Sequence, residues 1–188
     1  MLVVELIFSW DILVFMNLKI LSWNVRGLND RRKRSIVKNL LRDWKCDVIC
    51  LQETKLTGMD RQMVGNLWSC SFVDWVALDA VQTAGGILLM WDRRVLERTK
   101  VLVGSFFVSV RWQGVGNSFS WACSRVYGPI DNNARGLMWD ELVFSNTGMS
   151  LGVVLGISIL SASLVNDWVI LVSLRLWSFF RSSSRTLI

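Results

Sequence analysis

The sequence predicts a mixed α/β fold built on a layered sheet, and three stretches carry that prediction. The first is Val48-Ile49-Cys50-Leu51, an apolar run of strand length preceded by a Cys46-Asp47 turn. A run without polar alternation suits a strand buried on both faces. It ends abruptly in Gln52-Glu53-Thr54-Lys55. The second runs from Leu18 to Asn24, which alternates like a strand. Joined to the buried run by a helix-patterned segment, it makes a βαβ unit within about 35 residues, a motif that wants parallel strands. The third is a pair of strand-like stretches, residues 101–112 and 118–126, which a Gln113–Asn117 turn would fold into an antiparallel pair.

In chain order, residues 1–15 are mostly apolar but carry Glu5 and Asp11 and have no basic leading region. They make a poor signal peptide and are too short and charged for a bilayer span. Met16 follows as a second candidate start, which leaves 1–15 as an appendage. Asp30 can cap a helix over Arg31–Trp44 that turns Ile36, Val37, Leu40, Leu41 and Trp44 to one face. Its first turn holds Arg31, Arg32, Lys33 and Arg34, where the helix dipole disfavours positive charge. A solvated face accounts for such a cluster, and so does a polyanionic partner. Parallel pairing across this helix places Asn24 and Glu53 at the same C-terminal sheet edge, where active sites of layered folds collect. A short helix through Met63, strands at 72–78 and 85–91, and a helix at 137–144 behind the polar loop 131–135 follow. Residues 149–165 are apolar and uncharged, and 169–174 repeat the theme, each too short for a comfortable membrane span.

Composition narrows the chemistry. A net charge of +6 and a pI near 9.5 permit a polyanionic partner. The absence of histidine removes the commonest general base and the commonest metal ligand. Four cysteines without CxxC spacing indicate neither a zinc site nor a disulfide framework, and read as reduced core residues.

Four ordered motifs then spell a familiar pattern: Ile20-Leu21-Ser22-Trp23-Asn24-Val25-Arg26-Gly27-Leu28, Leu51-Gln52-Glu53-Thr54-Lys55, Gly85-Gly86-Ile87 and Val126-Tyr127-Gly128-Pro129. Together they resemble the exonuclease–endonuclease–phosphatase superfamily, which includes DNase I, and most of all the endonuclease domain of plant LINE-type retrotransposons. The resemblance implies the N-terminal half of a DNase I-like four-layer sandwich, two facing mixed sheets flanked by helices. It makes Glu53 the carboxylate that holds a catalytic Mg2+, a hard cation that prefers oxygen ligands. Asn24 falls at the metal and phosphate site, and Tyr127 on the hydroxyl that donates to the scissile phosphate. Arg135, Asn132 and Asn133 fall where the family contacts the nucleic-acid backbone, with Arg31, Arg32, Lys33 and Arg34 as a further basic surface.

The departures are as specific. The family's later Gly-Asp-x-Asn motif and final Asp-His pair have no counterpart in this sequence. The resulting expectation is a truncated, catalytically inactive remnant of a Mg2+-dependent endonuclease, with residues 16–145 as the partial domain and 146–188 as an out-of-frame apolar tail outside the fold. DNA is the expected partner, bound weakly and without sequence preference; no small-molecule cofactor is implied. The location would be intracellular, nuclear if the family role persists. A small membrane-associated protein and a non-catalytic nucleic-acid-binding fragment stand as alternatives.

Overall fold

A computed structural model of the chain describes residues 18–81, 85–116, 120–129, 132–146, 152–159 and 171–172. The appendage at 1–15 and the tail beyond 172 lie outside the described residues. The order is β1 (Ile20–Asn24), α1 (Arg31–Trp44), β2 (Val48–Gln52), α2 (Arg61–Leu67), β3 (Val73–Leu78), β4 (Ile87–Asp92), β5 (Leu96–Val103), β6 (Phe107–Gly114), β7 (Ser120–Gly128), α3 (Asn132–Asn146), β8 (Gly152–Ile159) and β9 (Leu171–Val172).

One sheet has the order β1-β2-β4-β3 and the other β5-β6-β7-β8-β9. β1 and β2 pair in parallel with Asn24 opposite Gln52, as the βαβ reading requires. β2 is buried at every position and occupies the middle of its sheet. α1 begins where expected because the Asp30 carboxylate accepts from the Arg32 backbone N–H at 2.8 Å. It ends at Lys45, which adopts a left-handed conformation. Val37 and Leu41 are buried, whereas Ile36 is 59% exposed and does not belong to the packed face.

The layers follow from which side chains alternate inward. Leu21, Ile49, Leu51, Leu88 and Met90 pack under α1 and α2. On the opposite face of the same sheet, Val48, Cys50, Ile87, Leu89 and Trp91 meet Val108, Val110, Trp112, Trp121 and Cys123 of the second sheet. Trp91, Trp112 and Trp121 form a continuous aromatic contact there, with ring centroids 5.4 and 4.8 Å apart. Each such aromatic pair adds about 0.5–1.5 kcal/mol beyond its area burial. Phe107 and Val126 turn the other way and pack with Met138 of α3. The result is helix, sheet, sheet, helix: the partial DNase I-like sandwich the sequence implies.

Three elements differ from expectation. The stretch 101–112 is two strands, because Gly104-Ser105 turns the chain between β5 and β6 and the Gly104 N–H donates to the Phe107 carbonyl. The antiparallel pairing of β6 with β7 is as expected, with Trp112 opposite Trp121. α3 starts at Asn132 rather than 137, so the polar loop is mostly helix. The segment set aside as tail also enters the second sheet: β8 pairs in parallel with β7, and β9 antiparallel with β8. No described helix is long and apolar enough to cross a membrane. The cysteines are free, Cys50 and Cys123 fully buried as core residues and Cys46 and Cys70 only partly so.

Candidate active site

The parallel β1–β2 pair delivers two polar residues to one edge. Asn24 closes β1, and its side-chain oxygen accepts from the Arg26 backbone N–H at 3.0 Å, which bends the chain away from the sheet. Glu53 follows β2 directly. Its residue is only 4% exposed, and its backbone sits at φ 54°, a left-handed conformation that costs a non-glycine residue free energy. The surrounding backbone holds it there. Its carbonyl accepts from the Gly27 N–H at 2.5 Å, and the Thr54 carbonyl accepts from Leu28 N–H at 2.7 Å. On the other side, Thr54 and Lys55 N–H groups donate to the carbonyls of Gly86 and Gly85.

The carboxylate itself is treated differently from its backbone. Among the described residues, Glu53 Oε1 is buried and meets no hydrogen-bond donor, and the neighbouring Thr54 Oγ1 is in the same condition. Buried polar atoms are almost always partnered, so an orphaned carboxylate oxygen marks a place for a cation or a bound donor.

Gly85 and Gly86 shape the wall opposite. Both have positive φ, and a Cβ on Gly86 would collide with Thr54 Oγ1. A Cβ on Gly85 would lie 3.3 Å from the Tyr127 ring carbon that bears the hydroxyl. The two glycines therefore let Tyr127, from the second sheet, close onto the Glu53 loop of the first. Burial raises the Tyr127 pKa, and the negative charge of Glu53 raises it further. Asn24, Glu53 and Tyr127 thus share one rim, and the last two sense each other electrostatically.

The nucleic-acid candidates are more scattered. α3 begins just past the C-terminal end of β7, so Asn132, Asn133 and Arg135 follow Tyr127 closely in the chain, on the helix that packs against the opposite face of the second sheet. Asn133 is exposed and Arg135 half-buried. Arg31 and Arg32 are exposed to solvent. Lys33 and Arg34 instead turn back onto backbone carbonyls of the β1–α1 loop. Among the described residues no group of three or more His, Cys, Asp or Glu side chains gathers as a metal cluster.

A polar layer beneath the rim escaped the sequence reading. Ser22, Gln52 and Arg125 are inward-facing residues of β1, β2 and β7, and Gln52 and Arg125 are buried. Burial drives the Cys50 thiol up to about 11 and the Cys123 thiol well up, while the Arg125 charge pulls both back. The space between the sheets therefore changes from tryptophan at one end to polar groups at the rim. Arg125 was legible in one respect: it shares the strand parity of Tyr127, two residues on.

Residues 21–152 match the model of the Endonuclease/Exonuclease/phosphatase family, well over half of the chain. Among solved structures, the human Nocturnin catalytic domain is similar with a TM-score of 0.54 at 10% identity, over 73% of this chain and 62% of that one. A mannosyl-6-phosphatase from Bacteroides thetaiotaomicron gives 0.53 at 11% identity, over 73% and 63%. A family protein from Bacteroides vulgatus gives 0.54 at 13%, over 73% and 64%. The chain thus spans less than two thirds of the length of these neighbours, and at such identities the likeness is one of fold. No match was found among curated proteins.

Proposed function

Because the chain belongs to the endonuclease/exonuclease/phosphatase family, we propose that its rim is the metal- and phosphate-binding half-site of a Mg2+-dependent phosphodiester-cleaving endonuclease of LINE-retrotransposon type, without turnover as it stands. The observation that carries this reading is Glu53: a buried carboxylate, in a left-handed backbone conformation, with one oxygen unpartnered. The donor set fits a hard cation that binds through one or two carboxylates and keeps several waters. Glu53 would hold it, with Asn24 beside it. When bound, the ion supplies Lewis-acid polarisation of a phosphoryl oxygen.

The chain's own residues cover part of the remaining chemistry. Tyr127 stays protonated well past neutral pH, so its O–H can donate to a phosphate oxygen as charge builds there. The sequence offers no histidine to activate the attacking water. Binding without turnover follows. DNA contact would rest on Arg31 and Arg32, with Asn132, Asn133 and Arg135 at the start of α3, just past the end of β7. Such contacts give weak, salt-dependent and sequence-independent affinity. A non-catalytic nucleic-acid-binding role is the second reading, favoured by the exposure of Arg31 and Arg32.

On this reading the residues after about Ser145 correspond to the family's second half in another reading frame. The nucleotide sequence over Leu151 to Trp168 decides that point: absence of Gly-Asp-Phe-Asn in a shifted frame rejects it. Plasmid nicking in Mg2+ tests the function. No nicking above background is expected from the intact chain. Metal-dependent nicking that vanishes in Glu53→Ala would overturn the inactivity and keep the site.

A further inference from the structure

The basic turn of α1 poses a problem that a DNA-binding role does not resolve. Four cations stand where the helix dipole opposes them, yet only Arg31 and Arg32 extend into solvent as an electrostatic surface would require. Lys33 and Arg34 point backwards. Lys33 Nζ donates to the Arg26 carbonyl at 3.0 Å. Arg34 Nη1 donates to the Leu28 carbonyl at 2.7 Å and to the Asn29 carbonyl at 2.9 Å. These carbonyls belong to the segment whose N–H groups hold the site: Arg26 N–H on the Asn24 side chain, Gly27 N–H on the Glu53 carbonyl, and Leu28 N–H on the Thr54 carbonyl.

We propose that Lys33 and Arg34 are positioning residues, a cationic brace that fixes the β1–α1 loop and, through Gly27 and Leu28, the strained backbone of Glu53. The physics favours it in three ways. Charge-assisted hydrogen bonds are about twice as strong as neutral ones. The Leu28 carbonyl, in a part-buried position ahead of the first turn of α1, takes its donor from the Arg34 side chain. The loop is also bent at Arg26 (φ 51°), opposite Glu53 (φ 54°), and such conformations of non-glycine residues persist only where surroundings hold them. The two charges therefore serve the site from behind, and Arg31 and Arg32 alone remain to face a polyanion.

This brace matters to chemistry only through the reading of Glu53 as the metal carboxylate, but backbone amide exchange detects it with no metal or activity. In the full chain, Arg34→Met should speed exchange of the Gly27 and Leu28 amides about tenfold or more, leaving the Ile49 and Leu51 amides of β2 unchanged. Lys33→Met, which removes a single hydrogen bond, should give a smaller rise at the same amides. Arg34→Lys should restore part of the protection, and Arg31→Met should leave it untouched. Unchanged exchange at Gly27 and Leu28 in Arg34→Met would overturn the proposal. So would an equal rise across β2 in both the Arg34 and Lys33 variants, which would mean general destabilisation.

Discussion

Glu53 and Asp92 are both buried carboxylates at strand ends of one sheet, yet they are handled in opposite ways. β2 and β4 run antiparallel, so Glu53 after one and Asp92 closing the other stand at opposite edges. Asp92 is fully engaged. The Arg94 side chain donates to it at 2.6–3.1 Å, the Arg94 backbone N–H at 2.9 Å, and the Cys70 thiol at 3.5 Å. Burial pushes its pKa up, but the hydrogen bonds from Arg94 more than offset this and hold it below the ordinary carboxylate value. Glu53 has an oxygen with no such donor and a backbone in a costly conformation. One carboxylate is tied into the fold, and the other has an oxygen that the described residues leave without a donor.

The largest effect that would break this contrast is on stability. Asp92→Ala removes a hydrogen-bonded charge whose partner is largely solvated, so the chain should lose about 1.5–3 kcal/mol. The midpoint of urea unfolding reads it, and an unchanged midpoint would reduce Asp92 to surface decoration. Glu53→Gln should go the other way. An amide is cheaper to bury than a carboxylate, and relieving a functional site commonly gains about 0.5–2 kcal/mol. A loss of stability in Glu53→Gln would show that the carboxylate is structural. Millimolar Mg2+ should raise the melting temperature of the wild-type chain and not of Glu53→Gln, because only a site-bound ligand stabilises the folded state.

How far these roles could be read in advance depends on the range of the interactions behind them. The β1–α1–β2 unit was legible because its signals are local: alternation, an Asp30 cap and an unbroken apolar strand. Parallel pairing within the same unit puts Asn24 and Glu53 on one edge. β5 was not legible, since Leu96–Val103 lies at the edge of its sheet and exposes Glu97, Arg98, Thr99 and Lys100. Without buried alternation it resembled a loop, and its end was merged with β6. The purpose of Gly85 and Gly86 was equally hidden. The motif named them, but only the approach of Tyr127 and Thr54 from other strands shows why a side chain is excluded. Lys33 and Arg34 looked like surface charge because carbonyls several residues back leave no trace in composition.

A smaller effect sharpens the Asp92 side through pH. A carboxylate whose folded pKa lies below its unfolded value stabilises the fold above the unfolded value, and that contribution drains away as pH falls through the folded value. For Asp92 the window opens near the ordinary value of 3.8 and extends downward. Urea unfolding of the wild-type chain should therefore show an acid-side decline that is shallower in Asp92→Asn. Parallel declines in the two proteins would remove Asp92 from the acid response.

The smallest effect tests whether Glu53 faces Tyr127 as a charge. Tyr127 is the chain's single tyrosine, so phenolate absorbance reports this hydroxyl alone. Burial first, and then the Glu53 carboxylate, hold its pKa above the ordinary 10.0. The folded chain should begin to ionise only above that pH. Glu53→Gln should move the transition down while leaving it above 10, since burial, the larger cause, remains. The sign for stability follows the same way. A group with a raised folded pKa contributes in full below its unfolded value, and the contribution is lost as pH rises through the folded value. Alkaline unfolding should accordingly begin at lower pH in the wild-type chain than in Tyr127→Phe, which has no proton to lose. If Glu53→Gln leaves the phenolate transition where it was, the two groups do not share a site, and the rim reduces to Asn24 and Glu53.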